Sequence, residues 1–354
     1  FFSGNPRACS LPTDKAHTMT QPSSISTPQA TASQHGLLDH PLHVRRALVL
    51  LVALAALPFV AQATGQEFYI GVAARILIFA LAATSLNLIL GFGGMVSFGH
   101  AAFLGIGAYS VAVLMFHGVT SAWIAWPLAV LVSALFALVI GFISLRTKGV
   151  YFIMITLAFA QMLYYVAVSV KAYGGDDGLA MTARSDVLAG FDMANDRNFY
   201  FVVLVLFALA FVGVQRLLNA RVGHTLQAIR ENETRMIAIG FPVYRYKLVA
   251  FTIAGALAGL SGVLLVNLNS FASPSMLQWH QSGVLMMMVI LGGVGHLYGA
   301  LIGATAFLLL EEILAGYTIH WQFGLGALLL LVVLVAPNGL MSLANRKRAG
   351  EGKK

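Results

Sequence analysis

Residues 123–145, WIAWPLAVLVSALFALVIGFISL, form a run without a charged side chain, and Arg146 and Lys148 follow it closely. A helix needs about 20 mainly apolar residues to cross the hydrocarbon core of a bilayer, and this run has that length. Similar apolar runs recur along most of the chain. The sequence therefore predicts an all-α integral membrane protein.

The composition supports a membrane environment. Of the 354 residues, 59% are hydrophobic and 10% are charged, whereas about a quarter of the residues of a soluble domain are charged. The net charge of +8 comes mainly from Lys and Arg in short loops and beside apolar runs, which is typical of cytoplasmic loops. The sequence has no basic stripe interleaved with aromatic residues, so we predict contact with a lipid bilayer and no nucleic-acid binding.

Hydropathy predicts about ten transmembrane helices, with both termini in the cytoplasm. Residues 282–310 suit one long helix or two short ones separated at Gly292–Gly295. Because the chain is outside after the seventh span and its basic end is expected inside, an odd number of further spans is needed. The predicted spans are residues 47–64, 69–90, 95–116, 123–145, 151–170, 199–218, 248–267, two within 282–310, and 323–336.

The chain divides into one membrane domain and two tails. Residues 1–44, which are rich in Ser, Thr, Pro and Gln, are predicted to form a disordered cytoplasmic tail. Residues 45–345 form the transmembrane domain, and residues 346–354 form a basic cytoplasmic tail. Within the domain, residues 171–198 are the longest outer loop and residues 219–247 are a polar cytoplasmic loop.

The sequence lacks the motifs of several active sites. All 13 Asp and Glu residues are placed in a tail, a loop or a span end, whereas ion-driven carriers commonly hold a carboxylate within the membrane. The chain has no G-x-x-x-x-G-K-[ST] nucleotide motif, and its ten His residues show no clustered ligand spacing. We therefore predict no catalytic residue, no metal site and no bound cofactor, so energy for active transport would enter through another subunit.

Several polar residues lie within predicted spans, where they have two possible roles. They hydrogen-bond between helices, at about 1 kcal/mol each, or they line a translocation path. The basic residue Arg75 either extends to the membrane interface or serves a pore or a partner. The candidate path residues are Asn87, Ser97, His100, Thr156 and Gln161.

The polar loop contains the stretch RVGHTLQAIRENETRMIAIGFPVYRYK, residues 221–247. A helix is predicted over Thr225–Ile239, ended by a left-handed Gly240 and by Pro242. This helix either docks on a partner or lies on lipid headgroups. Its apolar face would comprise Leu226, Ile229, Met236 and Ile239, with Arg230, Glu231, Glu233 and Arg235 exposed.

Small residues recur at helical spacing in two spans. Gly295, Gly299 and Gly303 are four residues apart, as are Gly255 and Gly259. Such a pattern lets two helix backbones approach closely in a membrane. We predict tight helix packing along both ridges.

Four stretches resemble the permease subunits of branched-chain amino-acid ABC importers. They are GGMVSFGHAAFLGIGAY (93–109), LRTKGVYFIMITLAFAQM (145–162), AIRENETRMIAIGFPVYRYKLVAF (228–251) and LGGVGHLYGALIGA (291–304). The stretch YGGDDGL (173–179) adds a resemblance to the LivM-type half of the permease pair. The resemblance as a whole extends from about residue 47 to residue 345.

The resemblance implies a membrane-spanning permease subunit in a bacterial inner membrane, not an enzyme. Its expected partners are a second, different permease, two cytoplasmic ATPase subunits that hold ATP and magnesium, and a periplasmic substrate-binding protein. Branched-chain amino acids, or urea, amides and other carboxylates, are the implied substrates. The implied residues of the coupling helix are Arg230, Glu231, Asn232, Glu233, Gly240 and Lys247.

Two alternatives come from other classes of protein. A self-contained channel or secondary transporter would work without ATPase partners, and a carrier would preferably have a carboxylate within the membrane. A membrane enzyme would need a metal cluster or a nucleophile–base pair near the interface, and no such group stands out in the sequence.

Overall fold

The computed structural model describes residues 44–63, 65–187, 193–317, 319–335 and 339–341. The predicted tails lie outside these ranges, except that Val44 begins the first helix. Within the ranges the α-helices are α1 Val44–Ala63, α2 Phe68–Asn87, α3 His100–Phe116, α4 Ala122–Ser144, α5 Val150–Ser169, α6 Asp196–Asn219, α7 Arg221–Glu231, α8 Glu233–Ala238, α9 Val243–Asn269, α10 Trp279–Gly292, α11 Gly299–Tyr317 and α12 Trp321–Val335.

Shorter elements complete the described chain. A π-helix, Leu88–Phe92, continues α2, and 3-10 turns occupy Lys171–Tyr173, Gly175–Asp177 and Pro274–Leu277. Two short strands, β1 Leu179–Ala180 and β2 Phe271–Ala272, pair antiparallel with Leu179 opposite Ala272. The prediction of an all-α protein is confirmed, since the sheet is confined to this pair within the described residues.

Each predicted span coincides with an apolar helix. Six helices of the described chain are long and apolar enough to cross a membrane, namely α2 with its π-helical continuation, α4, α5, α6, α9 and α11. The other four, α1, α3, α10 and α12, are shorter apolar helices. The break at Gly292–Gly295 is confirmed, because Gly293 has a φ of 116° and α10 ends at Gly292.

The third predicted span begins later than its hydropathy suggests. Residues 95–99 are not helical, and α3 starts at His100. The backbone of this segment is nevertheless satisfied, since the Met95 N–H donates to the Ile89 carbonyl at 2.9 Å. Irregular backbone at membrane depth is tolerated where protein rather than lipid surrounds it, and Ser97 is 2% exposed.

The helices run back and forth between two ends of the bundle. At the long-loop end, which holds residues 170–187 and 193–195, β1 pairs with β2 just after the end of α9. At the basic-loop end, which holds residues 219–247, the Tyr244 hydroxyl donates to the Phe142 carbonyl at 2.7 Å. We use these two names below because they do not assume which end faces the cytoplasm.

Helix α9 forms the centre of the core, and α5 lies at its edge. The backbones of α9 and α3 are in close contact. A Cβ added at Gly107 of α3 would lie 2.2 Å from the carbonyl oxygen of Gly259 of α9. The buried residues of α5 are Phe152, Thr156 and Ala160, a single row at i, i+4 and i+8. Phe159, Leu163 and Tyr164 are half-buried against the core, and the opposite face of α5 is exposed.

Candidate functional site

The basic loop folds into two helices, so the single predicted helix over Thr225–Ile239 is wrong. Helix α7 begins at Arg221, and the chain breaks at Asn232, which has extended backbone angles of φ −156° and ψ 95°. The Asn232 side chain accepts a hydrogen bond from the Arg235 N–H at 2.9 Å. Asparagine competes well for such a cap, and this local bond starts α8 at a new angle.

The apolar residues of the loop divide between the bundle and the surface. Leu226 and Ile229 of α7 are buried at 1% and 2% exposure, as predicted. Ile239 was expected on the same face, but it is 62% exposed. Ile237 and Phe241 are also exposed, and we call Ile237, Ile239 and Phe241 the apolar tip.

Gly240 shapes the apolar tip. Its φ of 90° confirms the predicted left-handed conformation, which favours glycine over residues with a Cβ. No atom lies within 4 Å of a Cβ built at this position. The chain therefore turns sharply at a point that projects from the rest of the fold.

Glu233 fixes α8 to the bundle. Its carboxylate oxygens lie 2.9 Å from the Lys148 ammonium and 2.8 Å from the Lys247 ammonium. Glu233 was predicted to be exposed, but its side chain is 27% exposed because it bridges the α4–α5 loop and α9. Partial burial raises the pKa of Glu233. The hydrogen bonds and positive charges of Lys247 and Lys148 lower it by more than burial raises it, so the pKa lies below its ordinary value.

Arg230 reaches from α7 into the end of α2. The residue is exposed, as predicted, but its Nη1 group donates to the Gly91 carbonyl in the π-helix. Its side chain also lies beside Gly94, where an added Cβ would be 3.1 Å from Cγ of Arg230. Single-turn π-helices occur often at functional sites, and this one receives the basic loop directly.

Asn87 extends this connection to the turn between α10 and α11. Its Nδ2 group donates to the His296 carbonyl at 3.0 Å, and its Oδ1 atom accepts from the Gly295 N–H at 3.0 Å. A Cβ added at Gly91 would lie 2.6 Å from the Gly295 nitrogen. We call Arg230, Gly91, Asn87, Gly295 and His296 the latch, since they join three separate parts of the chain.

Two of the other candidate path residues satisfy the backbone around the start of α3, and a third, His100, contacts another side chain. Thr156 accepts from the Phe98 N–H and Ser97 from the Gly99 N–H, both at 3.3 Å. The His100 Nε2 atom lies 2.7 Å from the Ser85 hydroxyl. Ser282, which sequence reasoning missed, accepts from the Ala101 N–H at 2.9 Å. The bonds from the Phe98, Gly99 and Ala101 N–H groups pair backbone donors around the helix start, which leaves such donors open.

Gln161 differs from the four buried candidates. It lies on α5, is half-buried, and makes no side-chain hydrogen bond with the described residues. Its amide is therefore available to a partner or a solute. For Asn87, Ser97, His100 and Thr156, the structure shows bonds within the chain, and a path role for all five stays a prediction.

Two adjacent carboxylates, Glu311 and Glu312, do lie inside a candidate span, contrary to the sequence prediction. Helix α11 continues beyond Leu310 to Tyr317, so Glu311 is more than a turn from its end. Glu311 accepts from Arg75 Nη2 at 3.1 Å, with its side chain 19% exposed. Arg75 therefore has a partner inside the protein. The described residues contain no group of three or more His, Cys, Asp or Glu side chains able to hold a metal.

Comparison with known proteins places these features in one family. The branched-chain amino acid transport system permease component family matches residues 68–336. The chain is 28% identical to the high-affinity branched-chain amino acid transport system permease protein LivM of Salmonella typhimurium over 332 residues, which is 86% of this chain and 77% of the relative. No solved structure matches.

Two further relatives carry the names of two permease proteins, LivM and LivH. The chain is 24% identical to the probable branched-chain amino acid transport permease protein LivM of Methanocaldococcus jannaschii, covering 75% of this chain and 90% of the relative. It is 23% identical to the LivH permease protein of Salmonella typhimurium, covering 74% of this chain and 91% of the relative. Because the family match spans most of the chain, including the latch and the basic loop, the protein belongs to the branched-chain amino acid transport permease family.

Proposed function

We propose that this chain is one of two unlike permease subunits of an ATP-binding-cassette importer in a bacterial inner membrane. It crosses the membrane ten times, with both termini in the cytoplasm, and passes branched-chain amino acids received from a periplasmic binding protein. Two cytoplasmic ATPase subunits bind ATP and magnesium and supply the energy. The observation that carries this proposal is the basic loop, which presents an apolar tip outward and a latch inward.

The shape of the basic loop favours docking on a protein over anchoring in lipid. A helix that lies on a membrane needs its apolar residues along one face. Helix α8 ends at Ala238, so Ile239 and Phe241 lie beyond it and form no continuous helix face with Ile237. The apolar residues of α7 are already buried in the bundle. An apolar tip that is exposed on several sides suits a groove that surrounds it.

The latch supplies a route from the docked subunit to the membrane helices. Closure of the ATPase subunits would push on α7 and α8, and Arg230 would pass this displacement to the π-helix at Gly91. Asn87 would then move the α10–α11 turn through its two hydrogen bonds. The role of Arg230 in this proposal is to position the loop on the bundle rather than to contact the ATPase.

Helix α5 is the proposed contact surface for the second permease. This helix exposes apolar residues such as Met154 and Met162, together with the unpaired amide of Gln161. A span with one buried row and a free polar side chain suits protein contact or a solute path better than lipid alone. We therefore propose that α5 faces the partner permease and that Gln161 lies on the path between the two subunits.

The orientation is tested by cysteine labelling in intact cells, with Cys9 replaced by Ser. A membrane-impermeant maleimide is expected to label Asp186→Cys at the long-loop end and to leave Thr234→Cys in α8 unlabelled. Both positions are exposed in the chain. Permeabilised cells are the control, since both sites should then react. Labelling of Thr234→Cys alone in intact cells would reverse the proposed orientation.

Docking is tested by making the apolar tip polar. The double substitution Ile239→Ser with Phe241→Ser is expected to weaken co-purification of the ATPase subunits by about 30-fold or more, because central apolar anchors contribute 2 kcal/mol or more to interfaces. Phe68→Ser, which removes an exposed aromatic side chain at the long-loop end, is the control. Unchanged retention of the ATPase subunits in the double variant would exclude the tip as the docking site.

The same purification separates the importer from a self-contained channel or secondary transporter. A tagged chain is expected to bring down a second permease and two ATPases with nucleotide motifs. Transport by the chain alone in liposomes would favour the alternative instead. Glu311 is paired with Arg75, whereas the adjacent Glu312 is half-buried on the same span, so the liposome assay decides between the two functions.

A further inference from the structure

A polar cavity of about 390 Å³ lies toward the long-loop end of the bundle. It is formed by α2, α3, α9, α10 and the 3-10 turn Pro274–Leu277. Its volume falls within the range of small-molecule sites, which is about 300–1,000 Å³. Its polar side chains are Arg75, Asn269, Ser275 and Gln281.

Arg75 provides a fixed positive group in this cavity. It lies seven residues into α2, about 10 Å from the helix start at 1.5 Å per residue. The Nη2 group donates to Glu311, which is not part of the cavity lining, and the guanidinium lies 5.8 Å from the Phe79 ring centroid. The remaining N–H groups make no hydrogen bond with the described residues, and the side chain is 42% exposed.

The other lining groups complement this cation. The side-chain amides of Asn269 and Gln281 make no hydrogen bond with the described residues, so their oxygens are free to accept and their nitrogens to donate. Leu104, Leu265 and Leu285 supply an apolar wall. The site therefore combines one cation, two free amides and an aliphatic surface.

An ion pair that is partly removed from water is costly to place inside a candidate span. Partial burial of the two charges carries a desolvation cost, and ionisable groups inside spans are usually functional. The Arg75–Glu311 pair has no net charge, so a ligand without net charge enters the cavity without leaving an uncompensated ion. A zwitterion meets this condition and still offers a carboxylate to Arg75.

We propose that this cavity is a binding site for a zwitterionic aliphatic amino acid within the permease itself. The carboxylate accepts hydrogen bonds from Arg75, the ammonium group donates to the amide oxygens of Asn269 and Gln281, and the aliphatic side chain packs on the leucine wall. This inference rests on the proposed function, since it assigns the transported solute a site inside this chain.

The test is leucine binding to the purified full chain in lipid nanodiscs, measured with radiolabelled L-leucine. Arg75→Gln is expected to weaken binding about tenfold to a hundredfold, as loss of a hydrogen bond from a charged group does. Glu311→Gln is expected to tighten binding, because it frees Arg75 from its partner. If the pair serves stability alone, both variants instead change binding in the same direction, and that result overturns the proposal.

Further variants separate binding from folding. The double variant Arg75→Gln with Glu311→Gln leaves no unpaired charge, and it is expected to remain folded while losing leucine binding. Arg197→Gln, at the same end but paired with Gln62 outside the cavity, should bind leucine as the native chain does. Retention of leucine affinity in the double variant overturns the proposal.

Competing probes identify the groups that the cavity recognises. Isoamylamine lacks the carboxylate and 4-methylpentanoate lacks the ammonium group, so each should compete at least tenfold less well than leucine. Equal competition by isoamylamine overturns the role of Arg75.

Transport by the assembled importer, measured in parallel, distinguishes failure of this site from failure of the proposed function. If the complex imports leucine and the isolated chain binds none, the site is wrong and the importer stands. Leucine binding with the expected variant pattern supports the site even if no ATP-driven import is found.

Discussion

Replacing Arg230 with glutamine is expected to reduce ATP-driven import about 5-fold to 150-fold while the complex still assembles. This range corresponds to the 1–3 kcal/mol that typically couples two distant sites. The guanidinium group of Arg230 donates to the Gly91 carbonyl, and glutamine is too short to replace that contact. The apolar tip is unchanged, so the ATPase subunits should bind and hydrolyse ATP without driving transport.

The measurement compares import, ATP hydrolysis and subunit retention in proteoliposomes. Arg235→Gln is the matched control, because Arg235 is an exposed residue of α8 whose side chain is not part of the latch. Loss of the ATPase subunits from Arg230→Gln would show that Arg230 contacts them directly. Normal import by Arg230→Gln would show that the latch does not take part in the mechanism.

A second set of substitutions tests whether the latch acts as a unit. Asn87→Leu removes both side-chain hydrogen bonds from α2 to the α10–α11 turn. If the displacement passes through Arg230 and Asn87 in series, the double variant Arg230→Gln with Asn87→Leu should import little less than either single variant. Independent roles would give additive losses, as expected for sites that do not interact.

Replacing Gly303 with leucine is expected to have the largest effect on the folded protein. A Cβ added at Gly303 would lie 1.9 Å from the Met288 carbonyl oxygen on α10. Backbone atoms cannot give way to a side chain at that distance, so α10 and α11 must separate. Overpacking typically costs 1–3 kcal/mol, occasionally more, and a rigid backbone contact should be at the upper end.

The experiment compares the yield and thermal stability of detergent-solubilised protein. Gly316→Leu, on the same helix, is the control because no atom lies within 4 Å of a Cβ at that position. We expect Gly316→Leu to purify normally and Gly303→Leu to aggregate or to melt well below the native chain. Similar melting temperatures for the two variants would contradict the close contact of α10 and α11.

Hydropathy and glycine spacing predicted much of the fold. The apolar segments were found in the correct places because each span depends mainly on its own composition. The small-residue ridge at Gly299 and Gly303 correctly indicated close packing, since both positions adjoin α10 backbone. The break at Gly292–Gly295 could also be predicted from the sequence, because clustered glycines permit backbone angles that end a helix.

The errors arose where a distant partner decides the outcome. Glu311 was placed at a span end because a charge lowers hydropathy, and its pairing with Arg75, 236 residues away, could not be read locally. The bond from Arg230 to Gly91 spans 139 residues. Asn232 is a local signal that was missed, since its strong preference for helix caps could have indicated the break between α7 and α8.

The single buried row of α5 has a consequence for how the subunits are made. Phe152, Thr156 and Ala160 are the fully buried residues of this span, and its exposed face, which includes Met154 and Met162, has no packing inside this chain. A newly inserted copy without a partner would hold a polar amide against acyl chains. Membrane proteases could recognise this exposed span and remove orphan copies, which would match the amount of this permease to that of its counterpart.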